Sequence, residues 1–174
     1  SWHRRSGMRW RESSRVQFRL LYDGPLKSNG SAKHKHEIRE VFHKQLKELW
    51  QKARPLKAQA DPVHTGTMPP ELAVGAFRFL PLVCSHLSLH AAVEVLVLQR
   101  GEPGNIFSQG GDIDNRLKTL FDALRRPSSA SELPTGARPT RSQRPFYCLL
   151  EDDKLITKVS VEIDRLLAPT SSKR

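Results

Sequence analysis

Residues 110–124, GGDIDNRLKTLFDAL, place two carboxylates, Asp112 and Asp114, one residue apart where a helix should begin. A second acidic group, Glu151, Asp152 and Asp153, stands immediately before the alternating run ITKVSVE. One Asp at a helix start accepts the free N–H groups of the first turn and complements the dipole. A helix has a single N-cap position, however, so capping cannot use both carboxylates of D-x-D. If neighbouring strands bring the two acidic groups together, three or more carboxylates converge and repel one another unless a cation compensates them. An all-oxygen ligand set selects a hard ion, Mg²⁺ or Mn²⁺, rather than zinc. In a basic groove such an ion suits phosphodiester hydrolysis: it polarises the phosphoryl oxygen, lowers the pKa of the attacking water and steadies the leaving alkoxide. Lys118 lies four residues after Asp114, one turn along the same face. It can serve the scissile phosphate or the nucleophile, or act as a plain i,i+4 ion-pair partner worth a few tenths of a kcal/mol. Asn115 either orients a metal ligand or tidies the helix start.

The elements that must position these groups can be read from the pattern of apolar residues. HEIREVFHKQLKELWQKA, residues 36–53, carries Ile38, Val41, Phe42, Leu46, Leu49 and Trp50 at helical spacing and predicts an amphipathic helix with one buried face. Before it, VQFRLLYDGP predicts a strand ending at a Gly-Pro break, and KSNGSAKHKH reads as a flexible basic loop. FRFLPLV is a short apolar strand interrupted by Pro81, and AAVEVLVLQR is a strand ended by GEPGN. Leu117, Leu120, Phe121 and Leu124 give the motif helix one apolar face. The chain closes with FYCLLEDDKLITKVSVEIDRLL, an acidic turn followed by an alternating strand. Strand, helix, strand, strand, helix, strand indicates an α+β domain, a single mixed β-sheet packed with two main helices. Residues 1–14 read as a basic arm, 15–168 as the domain and 169–174 as a polar tail. Two insertions are expected, a Pro-rich loop over about 54–70 and a mobile basic Pro/Ser-rich segment over about 125–145.

The chain has 174 residues, of which 29 are Lys or Arg and 18 are Asp or Glu, for a net charge of +11. That surplus points to a polyanionic partner, nucleic acid before an anionic membrane surface. No apolar run approaches the roughly 20 residues that cross a bilayer, and the start lacks the apolar core of a secretory signal. Two cysteines, Cys84 and Cys148, form no disulfide framework. A basic protein of the cytoplasm, with no membrane contact, is therefore expected.

The run D-I-D-N-R-L-K-T-L-F-D-A-L, Asp112 to Leu124, followed by Asp152-Asp153 and a strand, resembles the RusA-like Holliday junction resolvases. Their D-x-D-N-x-x-K-x-x-x-D-A-L pattern is matched at Asp112, Asp114, Asn115, Lys118, Asp122, Ala123 and Leu124. The likeness extends loosely over residues 16–167. It implies a homodimer that binds branched DNA and cuts it with Mg²⁺ or Mn²⁺. By resemblance the metal ligands fall on Asp112, Asp114 and Asp153, with Asp152 assisting, and the catalytic lysine falls on Lys118. The early Pro-Pro-Ser-x-Asn pattern of that family survives as G-P-L-K-S-N, residues 24–29. Gly111 stands where a basic residue often precedes the first aspartate.

Candidate DNA contacts are Lys27, Lys33 and Lys35 in the first basic loop, Arg116 in the motif helix, and Arg125 and Arg126 after it. Cys84, His86 and His90 invite a zinc reading, but no fourth ligand stands at matching spacing and core packing is the simpler account. The sequence thus points to a metal-dependent, structure-selective endonuclease, a Holliday junction resolvase. Its rivals are a non-catalytic nucleic-acid-binding or assembly protein on the same scaffold, and a nuclease for another DNA or RNA structure.

Overall fold

A computed structural model describes residues 16–52, 71–100 and 113–167. The basic arm, the 54–70 loop, the GEPGN turn, Asp112 and the polar tail lie outside the described residues. The architecture is α+β. Helix α1 (Ala32–Lys52) and helix α2 (Ile113–Leu124) accompany five strands: β1 (Leu72–Val74), β2 (Phe77–Val83), β3 (Ala91–Gln99), β4 (Phe146–Leu150) and β5 (Ile156–Arg165).

Helix α1 starts where Ser31 caps it, its Oγ accepting from the His34 N–H at 3.2 Å. Ile38, Phe42, Leu46 and Trp50 recur every four residues and are all buried, with Arg39 and His43 beside them. They form one core with Leu82, Val83, Leu124, Leu149 and Leu150. A second core gathers Phe77, Phe79, Phe146 and Leu133.

Four expectations change. The segment VQFRLLY forms no strand. Gln45 of α1 takes its place as a ladder partner: the Leu21 N–H donates to Gln45 Oε1 at 2.9 Å, and Gln45 Nε2 donates to the Leu21 carbonyl at 2.8 Å. Pro81 does not interrupt β2. The antiparallel neighbour β1 ends with Leu72 opposite Phe79, so beside Pro81 the strand has no partner on that side among the described residues and the missing N–H is tolerated.

Residues 125–145, expected to be mobile, are packed. Leu133, Pro127, Pro139 and Gln143 are buried, and Gln143 Nε2 donates to Glu40 of α1 at 2.8 Å. Finally, the strands form two sheets and not one. The first has the order β1-β2-β4, with β2 and β4 parallel, and the second is the parallel pair β3-β5. The reason lies in two 3₁₀ turns, Ser85–Leu87 and Asp153–Leu155, which break both partners of the β2-β4 pair at the same level. The Glu151 N–H still donates to the Val83 carbonyl at 2.9 Å, and beyond it the chains re-pair as β3 and β5.

Two histidines join α1 to β4. His43 stacks on Phe146 with ring centroids 4.4 Å apart, and His36 stacks on the same ring at 5.7 Å. The Tyr147 N–H donates to His43 Nδ1 at 2.9 Å, while Nε2 lies 3.3 Å from the Ser142 carbonyl and so carries the proton. Burial lowers the pKa of both imidazoles below the ordinary value of 6.5. The folded state thus prefers them neutral, whereas the unfolded chain binds protons below about pH 6.5, so stability is lost as pH falls through that range. Denaturant midpoints are expected to drop between about pH 7.5 and about pH 5, and the drop should shrink in His43→Gln. An unchanged midpoint across this window would contradict the neutral, buried assignment.

Candidate metal and nucleic-acid site

Helix α2 divides the motif between solvent and core. Asp114 and Lys118, one turn apart, are exposed, whereas Thr119, Ala123 and Leu124 are buried. Asp114 lies in the first turn, where its charge complements the helix dipole. Thr119 Oγ1 donates to the Asn115 carbonyl at 3.0 Å and accepts the Gly30 N–H at 2.9 Å. This contact seats the S-N-G loop on the helix, one residue beyond Lys118. A Cβ on Gly30 would stand 2.7 Å from Thr119 Cγ2 and 2.8 Å from His34 Cδ2, so glycine is required for the close approach.

Asp122, the last acidic residue of the motif, is structural. Lys35 Nζ lies 2.6 Å from its Oδ2, and Arg125 Nη2 lies 2.9 Å from its Oδ1. Burial alone would raise its pKa; the hydrogen bonds and charges of Lys35 and Arg125 outweigh that and hold the carboxyl below the usual range. Arg125 also reaches Glu132 Oε2 at 3.1 Å. Arg39, fully buried, donates through Nη2 to the Asp122 carbonyl at 2.8 Å and through Nε and Nη1 to the carbonyls of Arg125 and Glu132, both at 3.4 Å. These are carbonyls that a helix end and an irregular segment leave without partners. Burial lowers the Arg39 pKa to about 10, which leaves it charged at neutral pH.

Beyond β4 the acidic turn has its own division of labour. Glu151 Oε2 accepts from the backbone N–H of Ser85 at 2.8 Å and from its hydroxyl at 2.7 Å, bonds that lower its pKa. Asp152 Oδ1 caps the following 3₁₀ turn by accepting the Lys154 N–H at 3.0 Å. Asp153 is exposed. The Arg126 N–H donates to the Leu150 carbonyl at 2.9 Å, which ties the end of α2 to the end of β4. There Arg125, Arg126, Ser128, Glu151, Asp152 and Asp153 line an open cleft of about 200 Å³.

Of the residues singled out in the sequence, Asp152, Asp153, Arg125 and Arg126 are thus brought together. Asp114 and Lys118 share a helix face, with Asp114 eleven residues from Arg125, roughly 16 Å along the axis at 1.5 Å per residue. Among the described residues no three His, Cys, Asp or Glu side chains are gathered as a metal-holding group. Asp112, the remaining ligand candidate, lies outside them. Lys27 and Lys33 are exposed, Arg116 is half-buried, and Lys35 and Arg125 are engaged with Asp122. Cys84 is buried in the core while His86 and His90 are exposed, as core packing requires.

The residues that sequence reasoning missed are Arg39, Glu132 and Ser85. Only Arg39 left a signal, since it falls on the apolar face of α1 between Ile38 and Phe42. No known family model matches the chain, and no curated protein and no solved structure matches it.

Two substitutions test the supporting frame. Asp122→Ala leaves Lys35 and Arg125 without their acceptor and is expected to cost about 3 kcal/mol, a Tm fall of roughly 6–12 °C in calorimetry. Gly30→Ala is expected to cost about 1–3 kcal/mol, because the buried β-branched Thr119 cannot yield. A Tm within about 2 °C of the parent in either variant would contradict the packing described.

Proposed function

We propose that this chain is a metal-dependent endonuclease acting on branched DNA. One observation carries the reading. From Ile113 to Leu124 the D-x-D-N-x-x-K-x-x-x-D-A-L run is a helix whose Asp114 and Lys118 are exposed one turn apart, while Asp122, Ala123 and Leu124 hold the helix in place. The net charge of +11 supplies the attraction for a phosphate backbone.

The donor set suits a hard cation: Asp112, Asp114 and Asp153 would hold it, with Asp152 orienting, and no thiol or imidazole among them invites zinc. Asp122 and Glu151 are excluded as ligands by their ion pairs and hydrogen bonds. When bound, Mg²⁺ or Mn²⁺ supplies Lewis acidity and an activated water. Lys118 carries a positive charge to the scissile phosphate, where charge accumulates as the bond breaks. Exposed Lys27 and Lys33 track the backbone without reading sequence. Symmetric cutting of a four-way junction places one site on each of two copies, so the active species is a homodimer.

A second reading, a nucleic-acid-binding protein without catalysis, draws on the fact that the described residues alone gather no metal-holding group. The two separate in one assay. Labelled four-way junction, flap, duplex and single-stranded DNA are incubated with Mg²⁺, Mn²⁺ or EDTA, beside Asp114→Asn and Lys118→Ala. Metal-dependent junction cutting is expected, reduced at least about a hundredfold in each variant, with binding by Asp114→Asn intact or tighter. Tight binding with no cutting under either metal would sink the nuclease reading.

A further inference from the structure

Residues 125–145, inserted between the two acidic motifs, end in a short turn, Arg141–Gln143, that side chains of α1 hold in place. The Ser142 carbonyl accepts from Lys47 Nζ at 2.8 Å and lies 3.3 Å from His43 Nε2. Gln143 is buried and donates to Glu40, while its Oε1 accepts the Thr140 N–H at 3.0 Å and closes the turn on itself. Glu40, Lys44 and Lys47, four and three residues apart, lie on one stripe of α1. The outer two touch the turn, so Lys44 between them is set beside it.

This anchoring presents positive charge. Lys44, Arg141 and Arg144 are exposed, and none of the three has a hydrogen bond or ion pair among the described residues. Glu40, the acidic member of the stripe, is taken up by Gln143. A merely solvated surface accounts for the charge. It does not call for a buried glutamine and a buried histidine to fix the turn that carries it. The guanidinium fork matches phosphate oxygens in pairs, and a rigid support lowers the entropy lost when it binds them.

We infer that Lys44, Lys47, Arg141 and Arg144 form a second contact surface for the phosphate backbone of a nucleic-acid duplex, separate from the site of Asp114 and Lys118. Strand β4 fixes where this surface stands. Arg144 precedes the strand and the acidic cleft follows it, so its five residues set the two apart by roughly 17 Å. At about 3.4 Å per base pair that is about five base pairs. The surface thus grips the arm of a substrate at a distance from the phosphate that is cut. Its charges are on the inserted segment and the middle of α1, so it adds affinity without entering the chemistry. The inference rests on the DNA-binding part of the proposed function and on none of its catalysis.

Binding of a labelled long-armed four-way junction to the full chain is followed by fluorescence anisotropy in EDTA, from about 50 to 200 mM salt, so that cutting plays no part. Arg141→Ala combined with Arg144→Ala is expected to lower the slope of log affinity against log salt by about two and to weaken binding at least about tenfold. Adding Lys44→Ala should lower the slope by about one more. Lys158→Glu removes the same two charges from exposed β5 and should leave the slope as it is in the parent. Circular dichroism and Tm guard against misfolding. Poly-L-glutamate is expected to compete at least about tenfold less well than duplex DNA of equal charge. A parental slope in the double variant overturns the inference, and so does an equal loss in Lys158→Glu, which would reduce the effect to net charge. A parent that binds no nucleic acid overturns it as well, and so does poly-L-glutamate competing as well as DNA, the mark of a surface for an acidic protein. Affinity that depends on Arg141 and Arg144, with no cutting under either metal, removes the nuclease reading alone. Cutting with a parental slope in the double variant removes this inference alone.

Discussion

The guanidinium of Arg39, enclosed between α1 and the end of α2, is the constraint on which the remaining geometry depends. It satisfies three carbonyls that have no partner of their own, and its charge is offset by Glu132 and Asp122. Lys35 and Arg125 close the same network from either side of Asp122. A buried ion network is costly to assemble and more costly to break, because removing one member strands the charges of the others. Helix α1, helix α2 and the 125–145 segment are consequently held as one unit. The pose of the motif helix follows from that anchoring, with little contribution from the helix's own propensity.

This arrangement explains how a chain of high positive charge keeps acidic groups at its surface. Asp122, Glu132 and Glu151 each face cations or donors supplied by the fold, and their pKa values are lowered accordingly. Asp114 and Asp153, by contrast with these half-buried groups, are exposed. Rigid support beneath exposed charged groups is what a site needs if it is to hold geometry against a polyanion.

The two sheets differ in what stabilises them. In β1-β2-β4 most side chains are buried; Phe77 and Phe146 pack against the histidines of α1, and Phe79 packs on Phe146. In β3-β5 regular alternation of half-buried and exposed residues runs along β3, and no second layer covers it among the described residues. Both pairs are parallel and continue the same two chain directions. The 3₁₀ turns between them mark where burial ends.

The sequence by itself determined the elements whose signal is local. Helix α1 was legible from Ile38, Phe42, Leu46 and Trp50, the motif helix from its apolar face, β2 from its short apolar run, and β3 and β5 from their alternation and bounding turns, whereas β4 was not read as a strand. It also marked D-x-D with a lysine one turn on, a local pattern whose residue types could do chemistry. Only the tertiary structure decided what each charged residue does. Nothing local distinguishes Lys35 from Lys33; what sets Lys35 apart is the carboxylate of Asp122, 87 residues away. The same holds for the 125–145 segment, whose Pro/Ser-rich composition reads as mobile until Leu133 finds Phe77 and Phe146. It holds equally for VQFRLLY, which lost its strand partner to a side-chain amide on α1. Periodicity records the burial of a face, whereas pairing and salt-bridge choice depend on which distant segments share a volume, and that is settled only when the chain packs.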